Sequence, residues 1–381
     1  MRPARIDQVV PSFAGRDAIG THVLYVRDAL RSAGFASEIW AMDVLPEVKD
    51  EARILSEMPR ARMESTWLLF HHSIGTPAVG LLLRRSEPLI VDYHNVTPAS
   101  LVDRWEPGLH EELVLGRKQL VELAGRAFFA LADSEYNEEE LVASGFRRTT
   151  VVPPLFSLDG FDADLDSHLL ESLRSVRAER GGSDWLFVGR VAPHKAQHEL
   201  VKALAAYRLA YDPEARLHLV GNPLGESYPR ALRRFIDRLG LDDAVEVSGS
   251  VSRGALAAYF HAADVFVCAS AHEGFCVPVV EAMHAGLPVV ALAAAAVPGT
   301  VGDAGLVLEN PTPLAFAAAS RRIVNDSVCR DSLVRAGYQR AGEFSLDRSR
   351  KRLLAAVGEA AAIFGEAAAI SDNDAHAEMA T

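Results

Sequence analysis

Short β-rich runs alternate with longer stretches of helical periodicity along most of the chain, and this alternation constrains the fold more than any other feature. The first set of runs comprises residues 6–10, 36–40, 67–70, 89–93, 127–132 and 150–152, and the second comprises 184–188, 216–220, 244–247, 264–268, 288–292 and 305–308. Strands that alternate with helices form parallel sheets with helical crossovers. The sequence therefore predicts an α/β protein with two doubly wound, Rossmann-like domains.

Chain length supports two domains. A chain of 381 residues exceeds the size of one ordinary core. We predict an N-terminal domain over residues 1–160, a connector over 161–182 and a C-terminal domain over 183–345. A last helix over 346–365 and a polar, alanine-rich tail over 366–381, expected to be disordered, complete the chain.

Charge and apolar patterning argue against two kinds of partner. The formal net charge of −12 argues against nucleic acid, which requires a basic surface. The most apolar tract, 285–298, is interrupted by Gly286, Pro288 and Pro298, which argues against insertion into a membrane. Residues 1–5 lack the apolar segment of a secretory signal. We therefore expect a soluble protein.

The cysteines and acidic pairs give no sign of a metal or disulfide framework. The three cysteines, Cys268, Cys276 and Cys329, match neither the number and spacing of a disulfide framework nor the spacing of metal ligands, which favours a reducing cytoplasm. Asp162 and Asp164 form an Asp-x-Asp pair, but no strand precedes them in the connector, so we attribute the pair to chance composition. We expect no catalytic metal and no bound cofactor. The sequence leaves the oligomeric state open.

One run in the C-terminal half combines groups suited to a nucleotide-sugar. Glu273 and Glu281 lie eight positions apart, one in a glycine-containing loop and the other in the predicted following helix. A rise of about 1.5 Å per residue would put the second carboxylate roughly a turn beyond the helix start, so both can face one ligand. The amides of Gly274, Phe275 and Cys276 could meet a phosphate there. Charging the first helical turn is the alternative role of Glu281.

Two basic residues follow a strand upstream of this run. Arg190 and Lys195 come after the strand 184–188, at the carboxyl end where open α/β sheets bind ligands. A guanidinium can bind phosphate through two hydrogen bonds, and an ammonium adds a point charge. For either residue alone, an ordinary surface loop is the alternative interpretation.

A glycine-containing loop at residues 11–20 precedes the first predicted helix. Gly15 and Gly20 would let the backbone approach a charged group without a Cβ in the way, and the helix start favours an anion. The loop matches neither the Walker pattern nor Gly-x-Gly-x-x-Gly, which argues against a P-loop kinase and a nicotinamide dehydrogenase.

The run from Glu273 to Glu281, followed by Gly-Leu-Pro-Val-Val and preceded by the Gly-Arg-x4-Lys of residues 189–195, resembles the retaining glycosyltransferases of family 4. This resemblance implies the GT-B fold, in which two Rossmann-like domains face each other across a cleft and the last helix crosses back to the N-terminal domain. It also implies transfer of a sugar from a nucleoside diphosphate, with UDP as the expected nucleotide and retention at the anomeric carbon.

The resemblance also implies roles for individual residues. Arg190 and Lys195 would hold the donor diphosphate, with the Gly15 and Gly20 loop on the opposite side of the cleft. Glu273 would meet the sugar hydroxyls. The ribose hydroxyls would bind Glu281, and the amides of Gly274, Phe275 and Cys276 would approach the sugar and phosphates.

Two further segments match regions of this family. His94, in the run Asp-Tyr-His-Asn, matches a histidine whose side chain or backbone approaches the transferred sugar; a loop histidine satisfied by its neighbours is the alternative. Gly249, Ser250 and Val251 match the region that surrounds the base. Ala196 stands where glycine or asparagine is common in the family.

The acceptor is suggested only by charge. Between Val102 and Glu140 there are ten carboxylates against four lysines or arginines, in the half where this fold would hold its acceptor. Solvated helix faces would also explain this excess. A cationic aminocyclitol, as in aminoglycoside antibiotic assembly, would suit a carboxylate-lined site.

Several rival functions remain open. The chain could glycosylate a cell-surface polysaccharide or a glycolipid, or it could be a hydrolase, epimerase or phosphorylase that shares the GT-B architecture. A catalytically silent protein that binds a sugar nucleotide and scaffolds a partner belongs to a different class. Replacing Lys195 by Ala would leave the partner binding of such a scaffold unchanged.

Overall fold

The computed structural model describes residues 3–14, 18–45, 48–60, 65–310 and 312–378, with side chains through residue 366. The chain forms two compact units: the first contains Met1–Val96, Glu111–Phe156 and Leu346–Thr381, and the second contains Thr97–His110 and Ser157–Ser345. Within the described ranges, no helix is long and apolar enough to cross a membrane.

The first unit contains a sheet of seven parallel strands. These are β1 (Arg5–Phe13), β2 (Ile39–Val44), β3 (Arg53–Ile54), β4 (Thr66–His72), β5 (Leu89–Tyr93), β6 (Phe129–Ala132) and β7 (Thr149–Val151). Their order across the sheet is β3-β2-β1-β4-β5-β6-β7. The order reverses between β1 and β4, so the crevice at their carboxyl ends is where such a sheet binds ligands.

The second unit contains a sheet of six parallel strands. These are β8 (Asp184–Val188), β9 (Arg216–Val220), β10 (Val245–Gly249), β11 (Val265–Cys268), β12 (Val289–Leu292) and β13 (Gly305–Leu308). Their order is β10-β9-β8-β11-β12-β13, with the reversal between β8 and β11. The two doubly wound sheets confirm the predicted fold class, and only the short strand β3 was not foreseen.

Helices connect these strands. They are α1 (Ala18–Ser32), α2 (Pro77–Leu82), α3 (Pro107–Ala124), α4 (Glu135–Ala143), α5 (Ser167–Arg180), α6 (Gln197–Ala210), α7 (Ser227–Arg238), α8 (Arg253–Ala262), α9 (Val277–His284), α10 (Val297–Val301), α11 (Pro313–Asn325), α12 (Ser327–Glu343) and α13 (Leu346–Glu378). Several begin at a polar side chain that accepts a main-chain amide, as Ser134 does for Asn137 and Ser252 for Ala255.

The last helix, α13, belongs to the first unit although it follows the second in sequence, as predicted. Leu353 and Ala360 are fully buried in the core of the first unit. Phe364 packs edge to face on Trp67, with ring centres 5.5 Å apart. The backbone stays helical through Glu378, whereas the sequence predicted a disordered tail from Glu366. The alanine-rich composition of this segment favours continuation of the helix.

The structure divides the middle of the chain differently from the sequence-based boundaries. The predicted connector 161–182 belongs to the second unit, where Leu170 of α5 packs on Ala258 and Ala262 of α8. Residues 97–110, expected in the N-terminal domain, also belong to the second unit. Trp105 packs edge to face on Tyr228 there, with ring centres 5.4 Å apart.

A buried ion network occupies the amino-terminal side of the second sheet. The Arg216 guanidinium donates to both carboxylate oxygens of Asp184 at 2.7 and 3.0 Å. His218 lies between two carboxylates, with Nε2 3.2 Å from Asp184 and Nδ1 2.8 Å from Glu246. Burial alone would lower the pKa of His218, but these carboxylates raise it to about 9. The positive charges of Arg216 and His218 therefore balance the negative charges of Asp184 and Glu246.

Candidate nucleotide-sugar site

The carboxyl ends of β8 and β11 bring the predicted phosphate and sugar residues together. Lys195 follows β8, and its ammonium donates to both carboxylate oxygens of Glu273, which follows β11, at 2.7 Å. The pair therefore bridges the two strands between which the strand order reverses. The two residues are 78 positions apart in the sequence, and the parallel pairing of β8 with β11 brings their side chains together.

The Lys195–Glu273 pair is held in its charged form. Burial alone would raise the pKa of Glu273, but Lys195 outweighs it and keeps the pKa below its ordinary value. Burial would lower the pKa of Lys195, and Glu273 raises it above its ordinary value instead. A charged pair that lies mostly out of water stays intact until a ligand offers each member a new partner.

The loop between β8 and α6 presents Lys195 through a strained turn. Pro193–Lys195 form a single 3-10 turn, and Ala196 after it adopts a left-handed conformation with φ of 51°. Glycine and asparagine adopt that conformation more readily than alanine, which is a physical reason for the glycine or asparagine that the resemblance implies at this position. The carbonyl of His194 accepts the amide of Ala271 at 2.8 Å, which ties this loop to the β11 loop.

The loop between β11 and α9 is supported from behind. Phe275 is buried and packs edge to face on Phe344 at 5.0 Å, so its ring holds the loop against the rest of the unit. The Thr300 hydroxyl donates to the carbonyl of Phe275. Cys276 has a left-handed φ of 77° at the start of α9, which turns the chain sharply into the helix. Gly274 completes the loop.

Glu281 lies in the second turn of α9, as its spacing predicted. Burial raises its pKa to about 7, and the opposing charge of Arg253 offsets only part of that rise. A carboxylate that is costly to ionise in the free protein is suited to a ligand that donates hydrogen bonds to it, as ribose hydroxyls do.

The remaining predicted binding residues of the second unit lie at the same edge of the sheet. Arg190 follows β8 and is exposed, and Gln197 donates to its carbonyl at 2.7 Å. Gly249 ends β10 with a positive φ of 70°, and Ser250 and Val251 follow it before α8. These positions fit contacts with a base through main-chain atoms.

Two glycines set the path of the β8 and β9 ends. Gly221 has φ of 146°, and a Cβ placed on it would lie 2.1 Å from the carbonyl oxygen of Gly189. By its position after a strand, Gly221 is also a weak binding candidate. Its close approach to the residue preceding Arg190 assigns it instead to the shape of the loop.

In the first unit, His94 lies in a group that we call the buried histidine cluster: His22, His71, Asp92, His94 and Asp133. Its Nδ1 lies 3.0 Å from both oxygens of Asp133, and its Nε2 lies 2.9 Å from Nδ1 of His71. Nε2 of His22 lies 3.0 Å from Asp92. Burial lowers the pKa of His71 to about 4. Burial alone would raise the pKa of Asp92, but His94, His22 and His71 hold it well below its ordinary value.

Other predictions in the first unit have mixed outcomes. Gly15 lies outside the described residues, and Gly20 is buried in the first turn of α1. His72, the last residue of β4, is fully buried with Nε2 2.9 Å from the carbonyl of Gly116. Because burial also lowers its pKa to about 4, His72 is a neutral core residue.

The acidic excess between Val102 and Glu140 is not one surface. Asp103 and Glu106 belong to the second unit. Glu138 accepts from Thr149, and Glu140 accepts from Tyr93, Asn95 and Arg117. Asp133 bonds to His94. Exposed carboxylates remain on α3 and α4, namely Glu111, Glu112, Glu122, Glu135 and Glu139.

Among the residues that the structure describes, two sets of side chains have the chemistry to hold a metal. The histidine set comes from separate elements, so sequence spacing could not reveal it, whereas Cys268, Glu273 and Cys276 lie within one short segment. His22, His71, Asp92 and His94 each place one ligand atom within 4.8 Å of the others, and so do Cys268, Glu273 and Cys276. The expectation that the reaction needs no metal stays a prediction.

Sequence reasoning missed His22, Asp133 and Gln8. Asp133 was detectable, because it directly follows a predicted strand at the ligand-binding edge of the sheet. His22 and Gln8 carried no local signal, since a helix and a strand interior bring them to the cluster only in three dimensions.

Residues 173–340 match the family described as Glycosyl transferases group 1. The D-inositol 3-phosphate glycosyltransferase of Geodermatophilus obscurus is 35% identical over 292 residues, which are 73% of this chain and 62% of the relative. The D-inositol 3-phosphate glycosyltransferase of Kribbella flavida is 32% identical over 294 residues, which are 73% of this chain and 68% of the relative. The chain thus spans about three fifths of the length of the first of these relatives.

The fold is similar to that of the Anabaena protein Alr3699/HepE, solved in complex with UDP-glucose. The TM-score is 0.70 over 93% of this chain and 99% of that chain, and at 18% identity the likeness concerns the fold alone. Two doubly wound sheets with this likeness define a protein of the GT-B fold. The chain belongs to the group 1 glycosyltransferases.

Proposed function

We propose that this chain is a retaining glycosyltransferase that moves a sugar from a UDP donor to a hydroxyl group of a cyclitol. The observation that carries the proposal is the Lys195–Glu273 pair between β8 and β11, with Glu281 in the helix that follows. Family membership supports the reaction class. The names of the relatives support a cyclitol acceptor.

Departure of the nucleoside diphosphate is the step that needs the most electrostatic help. Arg190 and Lys195 neutralise the charge that develops on the leaving phosphate. When the donor binds, its phosphate accepts a hydrogen bond from the Lys195 ammonium in place of Glu273. Glu273 then accepts hydrogen bonds from the sugar hydroxyls. The main-chain amides of Gly274, Phe275 and Cys276 approach the same phosphates and sugar. These cationic groups supply the charge that a metal provides in other transferases, so we propose a metal-independent reaction.

Glu281 holds the ribose. In the free protein burial raises its pKa to about 7, and two ribose hydroxyls would stabilise the charged form by donating to it. The remaining predicted contacts are those of Gly249, Ser250 and Val251 with the base. By the resemblance, His94 would approach the transferred sugar.

The first acceptor candidate is an inositol phosphate, because the relatives are named for one. A cationic aminocyclitol is the second, and the exposed carboxylates Glu111, Glu112 and Glu122 on α3 favour it. The internal bonds of Asp133, Glu138 and Glu140 remove part of the charge on which that second candidate depends.

The experiment starts with calorimetric titration of the purified chain with UDP, GDP, UDP-glucose and UDP-N-acetylglucosamine. We expect a response to the uridine nucleotides, weakened by about tenfold or more in Lys195→Ala and Glu281→Ala. Lys202→Ala is the matched control, because Lys202 is an exposed lysine of α6 that pairs with Glu199. No response to any nucleotide would refute the donor site.

The second part supplies the bound donor with D-inositol 3-phosphate or with an aminocyclitol and identifies the product by mass spectrometry. The anomeric configuration of the product, measured by NMR, decides between retention and inversion. Free sugar formed without acceptor would point to a hydrolase. Nucleotide binding without turnover of any acceptor would favour the scaffold.

A further inference from the structure

A line of hydrogen-bonded side chains runs through the buried histidine cluster from Gln8 to Asp133. Gln8 Oε1 lies 2.9 Å from Nε2 of His71, and Nδ1 of His71 lies 2.9 Å from Nε2 of His94. Nδ1 of His94 then lies 3.0 Å from Asp133. All four side chains are almost completely buried.

The His71 and His94 rings lie end to end. Their centres are 5.2 Å apart and their planes differ by 7°. Because a ring nitrogen lies only about 1.2 Å from its ring centre, nitrogens 2.9 Å apart must then lie close to the line that joins the two centres, which is hydrogen-bond geometry. One proton therefore sits between the two nitrogens.

Asp133 accepts a hydrogen bond from His94 as a carboxylate. Nδ1 of His94 is 3.0 Å from Oδ1 and also 3.0 Å from Oδ2. A symmetric approach to both oxygens is the pattern of an N–H donor facing an ionised carboxylate, whereas a carboxylic acid would present one hydroxyl. Nδ1 of His94 therefore carries a proton.

The protons of His71 and His22 are fixed by their other partners. With the Gln8 amide in the orientation that the structure gives it, His71 is neutral and donates from Nε2 to the Gln8 carbonyl oxygen. Its Nδ1 lies 2.9 Å from Nε2 of His94 and 3.3 Å from Asp92, and we assign it as the acceptor from the nearer His94. The amide of Leu155 donates to Nδ1 of His22 at 2.8 Å, which makes His22 a neutral ring that donates from Nε2 to Asp92. Neither histidine supplies a positive charge.

We propose that His94 carries a proton on both ring nitrogens at neutral pH and is a buried imidazolium, with Asp133 and His71 as its positioning residues. Asp92 and Asp133 would otherwise be two buried carboxylates with no cation, since their ion pairs within the described residues are all with histidines. Turning the Gln8 amide around would move one proton but would leave this charge unbalanced.

A metal ion fits this geometry poorly. Two imidazole nitrogens that bind one metal at about 2.0–2.1 Å must aim their lone pairs at a common point, with the rings inclined to each other around it. The nitrogens of His71 and His94 instead point at each other. The amide of Leu155 also occupies the Nδ1 lone pair of His22, so a metal at Nε2 would need an imidazolate.

The assignment rests on the proposed function in one respect. If residue 94 meets the donor, as the resemblance implies, a fixed imidazolium offsets one of the two buried carboxylate charges and so reduces the repulsion between this cluster and an anionic donor. Both ring nitrogens are already used by Asp133 and His71, so the side chain acts through its charge rather than through a nitrogen that binds a sugar hydroxyl.

The test is nitrogen NMR of the substrate-free, full-length chain labelled with 15N-histidine. We expect both ring nitrogens of His94, assigned by their loss in His94→Asn or through backbone correlations, to show shifts of protonated nitrogens. These shifts should stay constant between about pH 6 and 8, the range in which an ordinary histidine changes charge. One protonated and one unprotonated nitrogen on His94 would overturn the proposal.

Variants and a metal analysis test which groups keep the second proton on His94. Asp133→Asn should convert His94 to a neutral ring, whereas Asp50→Asn, which changes an exposed carboxylate of the same unit, should not. If Asp133→Asn does not fold, His71→Gln replaces it and should keep both protons on His94. A stoichiometric divalent metal whose removal changes the His94 signals would also overturn the proposal. Because no nucleotide is present, failure of the donor site would leave these spectra unaffected.

Discussion

Glu281→Gln should stabilise the protein at alkaline pH, although it removes a residue that we place in the nucleotide site. Burial raises the pKa of Glu281 from an ordinary value of 4.5 to about 7 in the folded protein. Above pH 7 the folded chain must therefore hold an unfavourable carboxylate that the unfolded chain hydrates freely. Glutamine has nearly the same shape and no charge, so the substitution removes this cost without leaving a cavity.

The magnitude follows from the pKa shift. One pKa unit corresponds to about 1.4 kcal/mol, so the shift of Glu281 amounts to about 3 kcal/mol when the group is ionised in both states. The sign is that of a carboxyl group with a raised folded-state pKa. The destabilisation is complete above pH 7, shrinks as pH falls, and disappears below 4.5, where both states are protonated.

The assay is urea unfolding of wild type and Glu281→Gln, followed by tryptophan fluorescence. At about pH 8 the variant should be more stable by roughly 3 kcal/mol, and at about pH 5 the difference should fall below about 1 kcal/mol. Glu309→Gln is the matched control, because Glu309 is an exposed carboxylate of the same unit. It should change stability little at either pH.

The raised pKa of Glu281 also predicts how nucleotide binding changes with pH. If ribose needs the ionised form of Glu281, the affinity of the wild type for UDP should fall as pH decreases through 7. Glu281→Gln should bind UDP weakly at every pH. A variant with the same stability gain at both pH values would refute the burial argument, and one with unchanged UDP affinity would refute the ribose role.

Four other substitutions test the interactions that support the second unit. His218→Gln should destabilise the folded protein by up to about 3 kcal/mol near pH 6. The raised pKa of His218 stabilises the wild type fully below pH 6.5, and this stabilisation is lost as pH rises through 9. A variant whose stability in urea unfolding keeps the same dependence on pH would contradict the prediction. Gly221→Ala should destabilise by more than about 2 kcal/mol, since its Cβ would lie 2.1 Å from a carbonyl oxygen. Gly342→Ala, in α12 with open space around it, should instead stabilise by up to about 1 kcal/mol, and equal effects of the two would be inconsistent with the geometry. Thr300→Val should remove the hydrogen bond to the Phe275 carbonyl, destabilise by about 1 kcal/mol and weaken UDP binding in calorimetry; unchanged UDP affinity would show that this bond does not support the loop.

The architecture was predictable because apolar runs buried on both faces mark parallel strands directly in the sequence. The predicted runs 89–93, 184–188, 216–220 and 305–308 coincide with observed strands residue for residue. The two-residue strand β3 was not predictable, since Arg53 and Ile54 are exposed and pair only with β2. Such an edge pairing depends on the neighbouring strand rather than on its own composition.

The candidate site was partly predictable. Residues that follow a strand closely, such as Glu273 and Lys195, could be assigned to one edge of the sheet from the amino-acid sequence alone. Their ionic bond could not, because the sheet order decides which strand ends adjoin. Asp162 shows the reverse case: its partner is Nε2 of His261 at 2.6 Å, within the second unit, so the Asp-x-Asp pattern has a local structural use.

Buried charges at the two ends of the second sheet differ in how they are satisfied, and this difference distinguishes structural residues from residues that bind a ligand. At the amino-terminal side, Asp184, Arg216 and His218 have partners that satisfy them within the protein. At the carboxyl side, burial makes ionisation of Glu281 unfavourable, and Lys195 and Glu273 neutralise each other across the two strand ends. Removal of a structural charge should therefore cost stability alone. Removal of Glu281 should gain stability and lose nucleotide, which is the combination expected where a fold keeps an unfavourable charge for a ligand.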